Sequence, residues 1–194
     1  MFSFRPPNDL ALAAFRLKQS RLHFSYPHVG CTQSETRPAG YDADRTRVKL
    51  GTGTEVFDAA CDAIRNWRQF PAGWTRVDPP DATIAVGTVI ATVARVYGIV
   101  TVNACRIVNV IDEPNRFGFA YGTLPGHVEQ GEERFLVERT SDGVVWYEIL
   151  AYSRPRHWLA RMGYPLARLA QARFRRDSAQ SMQEAVQHMK LCRN

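Results

Sequence analysis

The sequence lacks the features that would mark a membrane, secreted or metal-binding protein. No apolar run approaches the roughly 20 residues that a transmembrane helix requires, since the longest, 82–102, is interrupted by Thr, Arg, Gly and Tyr. The first residues lack the charged start and apolar stretch of a signal peptide, so we expect a cytoplasmic protein. The four cysteines form no CxxC pair, which argues against a zinc ribbon and predicts free thiols.

Nucleotide-binding and hydrolase motifs are also missing. The sequence has no Walker loop, no nucleophile elbow and no complete GxGxxG fingerprint. Gly51 and Gly53 form a GxG, but the third glycine is absent and no βαβ pattern accompanies them. The sequence therefore predicts no cofactor.

The composition is that of one globular domain. The chain has 194 residues, of which 45% are hydrophobic and 23% charged, so we expect a single domain over 1–194.

Its net charge of +6 is concentrated from Arg154 onward, where nine basic residues accompany two acidic ones. This segment is either a solvated helix face or a surface for the phosphates of nucleic acid or anionic lipid. We favour the solvated face, and we do not expect nucleic acid as a partner.

Two helices are predicted near the ends of the chain. The first lies in an N-terminal extension, 1–22, where Asn8 or Asp9 can cap it and where it ends near Ser20. The last helix, 155–190, carries an apolar stripe at helical spacing. The first helix carries Leu10, Ala13, Ala14 and Leu17 at helical spacing, and the apolar stripes of both helices predict packing against the rest of the domain.

The segment Gly51–Glu55 predicts the start of the clearest amphipathic helix. Thr52 and Glu55 have the spacing of a capping box, Thr54 is the competing cap, and Pro71 and Gly73 mark the end of the helix. Its apolar face consists of Val56, Ala60, Ala63, Ile64 and Trp67. This face predicts a helix that lies against a hydrophobic core.

The middle of the chain is rich in Val, Ile, Thr, Tyr and Phe, with turn signals at hairpin intervals. We predict five antiparallel strands at 83–96, 99–111, 116–124, 134–140 and 144–153. Shorter extended candidates lie at 22–26 and 45–50. A sheet this apolar must be covered, and the economical arrangement is a strongly bent antiparallel sheet that grips the C-terminal helix. We therefore predict an α+β fold with a cavity for a small molecule between sheet and helix.

Several motifs resemble a family of plant and bacterial proteins of unknown function. The most specific is the run Gly118–His127, GFAYGTLPGH, which contains a Tyr-Gly-Thr-Leu-x-Gly-His signature. The others are Tyr26-Pro27, Pro38-x-Gly40-Tyr41, Arg47-x-x-Leu50-Gly51-x-Gly53, Trp67-x-x-Phe70-x-x-Gly73-Trp74, Gly131-Glu132-Glu133-x-Phe135, Val145-Trp146-Tyr147 and Ser153-Arg154-Pro155. The resemblance implies a helix-grip fold like that of the START and polyketide-cyclase superfamily, many of whose members bind hydrophobic ligands.

Strand alternation predicts which side chains would contact such a ligand. Odd-numbered residues of the strand 116–124 share one face, and aromatic residues continue on the next strands. The predicted ligand-binding residues are Phe117, Phe119, Tyr121, Thr123, Phe135 and Trp146. The alternative is that these rings fill the core. We expect the partner to be a hydrophobic small molecule or a lipid.

The loop after Tyr121 gathers titratable side chains around glycines, which leaves an enzyme as an alternative function. His127 would act as general acid or base with Glu132 or Glu133 as partner, in a hydrolase, cyclase or isomerase. The alternative to catalysis is that the segment forms a structural hairpin, in which the glutamates pair with arginines. His127, Glu129 and Glu133 match no dedicated metal motif, so no metal is predicted.

Overall fold

A computed structural model describes residues 2–156 and 164–193, and this part of the chain contains three helices and eight strands. The helices are α1 (Asp9–Ser20), α2 (Thr54–Arg65) and α3 (Tyr164–Arg193). The strands are β1 (Phe2–Ser3), β2 (Asp42–Thr52), β3 (Thr75–Asp78), β4 (Val89–Val96), β5 (Ile99–Glu113), β6 (Arg116–Thr123), β7 (Glu129–Arg139) and β8 (Val144–Pro155). The predicted C-terminal helix is present, but Pro155 belongs to β8, and 157–163 lie outside the described residues.

The strands form one antiparallel sheet in the order β2-β8-β7-β6-β5-β4-β3, with β1 paired to β5. α2 and α3 contact each other and cover one face of the sheet. We call this the inner face. The predicted α+β helix-grip architecture is confirmed, because an antiparallel meander holds a long C-terminal helix against one side.

The main core lies between the inner face and the two helices. Phe119 and Phe135 are directly paired on β6 and β7, both fully buried, with ring centroids 5.4 Å apart. Trp67 packs edge-on against Phe119 at 5.0 Å, and its indole N–H donates to the Ala82 carbonyl at 2.9 Å. Burial of one such ring contributes about 1.5–3 kcal/mol, so these aromatics dominate the stability of the core. All five residues predicted for the apolar face of the second helix are buried, which confirms that prediction.

The outer face of the sheet is covered by two other segments. Leu12 of α1 is fully buried against Ala91 and Val102, on β4 and β5. The predicted stripe of this helix was wrong, because Leu10 and Leu17 are 82% and 60% exposed. Residues 24–41, which we call the covering loop, place Tyr26 and Cys31 in a small cluster on β8. Both faces of the central strands are therefore buried, although only the inner face carries the main core.

The predicted start and end of α2 were wrong. The helix begins at Thr54, and Gly53 is its N-cap residue with φ 91°, a value that favours glycine, without a side-chain cap. The hydroxyl of Thr54 instead accepts a hydrogen bond from Arg139 at 2.6 Å. The helix ends at Arg65 rather than at Pro71, because Trp67 turns to φ 56° and points its ring into the core.

Three strand predictions also need correction. The candidate 22–26 is not a strand, although Ser25 donates its backbone N–H to the Thr123 carbonyl at 2.9 Å. The predicted strand 83–96 begins only at Val89, because the preceding residues form turns. β7 begins at Glu129 rather than 134, since its polar first residues pair with the end of β8.

Candidate functional site

A cavity of about 920 Å³ lies between the inner face of the sheet and the first half of α3. Most of its lining is apolar and includes the rings of Phe70, Trp74 and Phe174. Tyr97 and Leu166 lie at its edge and are 71% and 57% exposed. A cavity of this size, apolar with a few polar groups, has the dimensions of a small-molecule site.

Tyr121 and Glu133 form the central polar pair of the cavity wall. They occupy directly paired positions on β6 and β7, and the Tyr121 hydroxyl donates to Glu133 Oε2 at 2.5 Å. Burial raises the pKa of Glu133 to about 7, although the hydrogen bond from Tyr121 lowers it. The carboxyl group therefore changes its protonation state near neutral pH.

Glu129 lies near Glu133 on the same wall. Its Oε1 accepts a hydrogen bond from Gln171 Nε2 of α3 at 2.5 Å, and burial raises the pKa of the carboxyl group. The charge of Glu129 also contributes to the raised pKa of Glu133. The two carboxyl groups thus disfavour each other's ionised form.

Two arginines of α3 approach the cavity but are held by one aspartate. Arg168 donates to both oxygens of Asp44, with its Nη2 2.8 Å from Oδ1. Arg175 Nη2 lies 3.1 Å from the same Oδ1. Asp44 is only 9% exposed, so these ion pairs are shielded from solvent and fix the position of α3 over β2.

His127 lines the cavity, but its environment differs from the one that a proton carrier near neutral pH requires. Its Nδ1 accepts the backbone N–H of Glu129 at 2.9 Å. Burial lowers the pKa of the imidazole to about 3, so the ring is neutral under physiological conditions. The titratable group with a pKa near 7 in this cavity is Glu133 rather than His127.

Glu132 projects from the opposite face of β7, because adjacent strand residues point to opposite sides. Its carboxylate accepts hydrogen bonds from the Tyr26 hydroxyl at 2.7 Å, the Gly30 N–H at 2.8 Å, and both the N–H, at 2.9 Å, and the hydroxyl of Thr32. Gly122, paired with Glu132, leaves the space for Tyr26, since a Cβ there would lie 2.2 Å from its hydroxyl oxygen. The Glu132 carboxylate therefore anchors the covering loop, although Glu132 is also among the residues that line the cavity.

The six predicted ligand-binding residues divide into three groups. Tyr121 and Thr123 line the cavity, the latter with its hydroxyl 2.6 Å from Ser25 Oγ. Phe117, Phe119 and Phe135 are buried in the core, as the alternative interpretation held, and are not among the lining residues. Trp146 lies on the outer face, where the guanidinium of Arg47 is 5.1 Å from its ring centroid.

The sequence analysis missed the contributions of α3 and of the segment after α2. Leu166, Ala170 and Phe174 are spaced by four residues and line one side of the cavity. Gln171 and Arg175 lie one position further along and supply its polar contacts. The apolar stripe of the C-terminal helix contains this signal, but the stripe by itself predicts only a packing face.

The arginine-rich C-terminal segment is extensively paired within the described residues. Besides the two pairs with Asp44, Arg173 and Arg176 contact Asp177 at 3.2 and 2.9 Å. Residues 2–156 and 164–193 include no helix with the length and hydropathy needed to cross a bilayer. In the same residues, no three His, Cys, Asp or Glu side chains are grouped to hold a metal ion.

The chain resembles two curated proteins over nearly its full length. It is 32% identical over 207 residues to a UPF0548 protein of Dictyostelium discoideum, covering 96% of each chain. It is 33% identical over 197 residues to a UPF0548 protein of Deinococcus radiodurans, covering 96% of this chain and 99% of that protein. The second of these relatives is a bacterial protein, as the resemblance predicts.

Among solved structures, the fold is similar to that of the hypothetical protein jhp0584 from Helicobacter pylori. The TM-score is 0.50 at 12% identity, covering 84% of this chain and 94% of that chain. This likeness concerns the fold alone. The model of the family described as "Domain of unknown function (DUF1990)" matches residues 25–181, and the chain belongs to this family.

Proposed function

We propose that the protein binds a hydrophobic or amphipathic small molecule in the cavity between the sheet and α3. The observation that carries the proposal is the cavity itself, about 920 Å³ in volume and largely apolar. An apolar lining of this kind favours ligands whose own apolar surface is removed from water on binding. The Tyr121–Glu133 pair supplies the directional contacts that would orient the polar end of a ligand.

Binding of the neutral dye Nile red, measured by its fluorescence, tests this proposal. Ala170 faces the cavity from α3, so Ala170→Trp should occupy part of the volume and weaken binding at least about tenfold. Ala172→Trp is the matched control, because Ala172 lies on the exposed side of the same helix. Unchanged dye binding by Ala170→Trp, or no binding by the unmodified protein, would contradict the proposal.

A second candidate function is proton transfer on a bound substrate. It is favoured by one observation, a carboxyl group on the cavity wall, Glu133, whose pKa of about 7 suits a general base at neutral pH. In this function Glu133 takes the role for which His127 was the sequence-based candidate, and Tyr121 acts as its hydrogen-bonding partner. An isomerase, cyclase or hydrolase could each use such a base.

The base can be tested with 5-nitrobenzisoxazole, whose ring opens when a base removes its carbon-bound proton. The rate should increase with pH through about 7 and disappear in Glu133→Gln, because only the ionised carboxyl group accepts a proton. Glu113→Gln is the control, since Glu113 is exposed at the end of β5. A rate that is the same in Glu133→Gln and in the unmodified protein would rule out Glu133 as the base.

A further inference from the structure

The charges of the cavity wall are not balanced when Glu133 is ionised. With Glu129 also ionised, Asp44, Glu129 and Glu133 carry three negative charges, whereas Arg175, which lines the cavity, and Arg168, which contacts Asp44, carry two positive ones. Both arginines contact Asp44, and their charges also lower the pKa of Glu129 (Arg168) and of Glu133 (Arg175). The hydrogen bonds of the two glutamates come from neutral groups, namely Tyr121, Gln171 and Ser153. The wall therefore has one negative charge in excess.

Glu133 also has an oxygen available to a ligand. Its Oε2 accepts the Tyr121 hydroxyl, while Oε1 accepts no hydrogen bond from any side chain or backbone group in residues 2–156 and 164–193. Because Glu133 lines the cavity, this oxygen is within reach of a bound molecule. An ionised carboxylate with an open acceptor position is stabilised most by a charged donor.

Asn103 provides a second, independent acceptor on this wall. The residue is only 8% exposed and lines the cavity. Its amide contacts are long, with Val128 N 3.4 Å from Oδ1 and Nδ2 3.5 Å from Thr101 Oγ1. Both distances are at the limit of hydrogen bonding, so this buried amide has capacity for another partner.

We propose that the ligand of this cavity carries a single positive charge, an ammonium group on an apolar body, and that this group binds at Glu133 beside Glu129 and Asn103. An alkylammonium has three N–H donors and no acceptor, which suits a wall with several open or weakly used acceptors. A carboxylate ligand would add a fourth negative charge, and a neutral alcohol would leave the excess charge unbalanced. This inference rests on the proposed ligand-binding function.

The other titratable groups near Glu133 do not supply the missing charge. They are Tyr121, Tyr147, Cys105 and His127. Burial raises the pKa of both tyrosines and of the thiol, and lowers the pKa of the imidazole to about 3. All four are neutral at pH 6–8. Burial raises the pKa of both carboxyl groups on this wall, Glu129 and Glu133, and that of Glu133, at about 7, lies within this range.

Three probes with the same ten-carbon chain test the proposal by displacing Nile red, namely decylamine, decanol and decanoate. Decylamine stays charged between pH 6 and 8, whereas Glu133 goes from about one tenth to about nine tenths ionised. Decylamine should therefore bind about tenfold more tightly at pH 8 than at pH 6, and more tightly than decanol at pH 8. Decanol should show no such increase, and decanoate should bind most weakly.

Glu133→Gln keeps the shape of the side chain and removes its charge. In this variant decylamine should lose its increase with pH, while Glu113→Gln should behave as the unmodified protein. Should Glu133→Gln fail to fold, Tyr121→Phe provides the same test, because removing the hydroxyl raises the pKa of Glu133 and moves the increase to higher pH. Decanol binding as tightly as decylamine at pH 8 would overturn the inference alone. Displacement by none of the three probes would overturn the ligand-binding proposal and this inference with it.

Discussion

Replacing Glu132 with glutamine is expected to destabilise the fold and to leave the cavity able to bind its ligand. The carboxylate accepts hydrogen bonds from three residues of the covering loop, Tyr26, Gly30 and Thr32. Tyr26, Thr32 and Glu132 are all at least 96% buried. Water therefore cannot take the place of a lost hydrogen bond among them unless the protein rearranges. The substitution changes the hydrogen-bonding capacity of the side chain and barely changes its size.

The size of the effect follows from the number of donors. A glutamine amide retains one acceptor oxygen, which suffices for the two groups of Thr32, but its NH2 must then face the Tyr26 hydroxyl and the Gly30 N–H. The hydroxyl can turn and accept, whereas the backbone N–H cannot. One buried donor without a partner costs about 1–3 kcal/mol, and the remaining bonds lose their charge assistance. We expect a loss of about 2–4 kcal/mol from an unfolding free energy of typically 5–15 kcal/mol.

Urea unfolding followed by fluorescence measures this loss, with Glu138→Gln as the matched control. Glu138 lies on the same face of β7 and pairs with Arg47 at 2.7 Å, but both side chains are about one third exposed, so its loss should cost less than about 1 kcal/mol. Under native conditions Glu132→Gln should still bind Nile red. Equal stability of Glu132→Gln and the unmodified protein would refute the anchoring role. Loss of dye binding at unchanged stability would indicate that Glu132 contributes to ligand binding.

Three further results are expected. Tyr121→Phe should raise the pKa of Glu133 above about 7, because the lost hydrogen bond lowers it; NMR titration of the carboxyl carbon measures this, and an unchanged pKa would contradict it. Phe135→Ala should lower the unfolding free energy by about 3–5 kcal/mol, since the ring is fully buried in the core; a loss below about 1 kcal/mol in urea unfolding would speak for a ligand-facing ring. His127 should remain neutral in the native state while the unfolded chain takes up a proton below about pH 6.5, so its contribution to stability is present above that pH and lost as the pH falls towards 3. An imidazole NMR titration with a midpoint near 6.5 in the folded protein would disprove this.

The sequence predicted the elements of the fold better than their boundaries. The apolar face of α2 and the strand-rich middle of the chain were recognisable because burial imposes periods of 3.6 and 2 on the sequence. The first residues of β7, Glu129 and Gln130, resemble a polar loop, and they form a strand through pairing with Pro155 and Arg154 of β8. Such pairing depends on residues distant in sequence, so a local pattern does not reveal it.

The candidate site was predicted only in part, because it too depends on contacts between residues that are distant in sequence. The signature segment indicated Tyr121, and the register that pairs it with Glu133 is a property of the assembled sheet. The depressed pKa of His127 and the raised pKa of Glu133 both follow from burial, which composition does not disclose. The polar contribution of Gln171 required knowing which face of α3 lies over the sheet.

The alternation of β7 explains how two adjacent glutamates come to have different roles. Glu133 and Phe135 point to the inner face, where the cavity and the core lie, whereas Glu132 and Arg134 point to the covering loop. Arg134 is 3% exposed and bonds to Glu148 at 2.8 Å, so the outer face has its own network of buried charges. Because the two sets share only the strand backbone, substitutions at even positions of β7 should act on stability and those at Glu133 on ligand binding. Glutamine substitutions at Glu132, Glu133 and Arg134 would separate the two properties residue by residue.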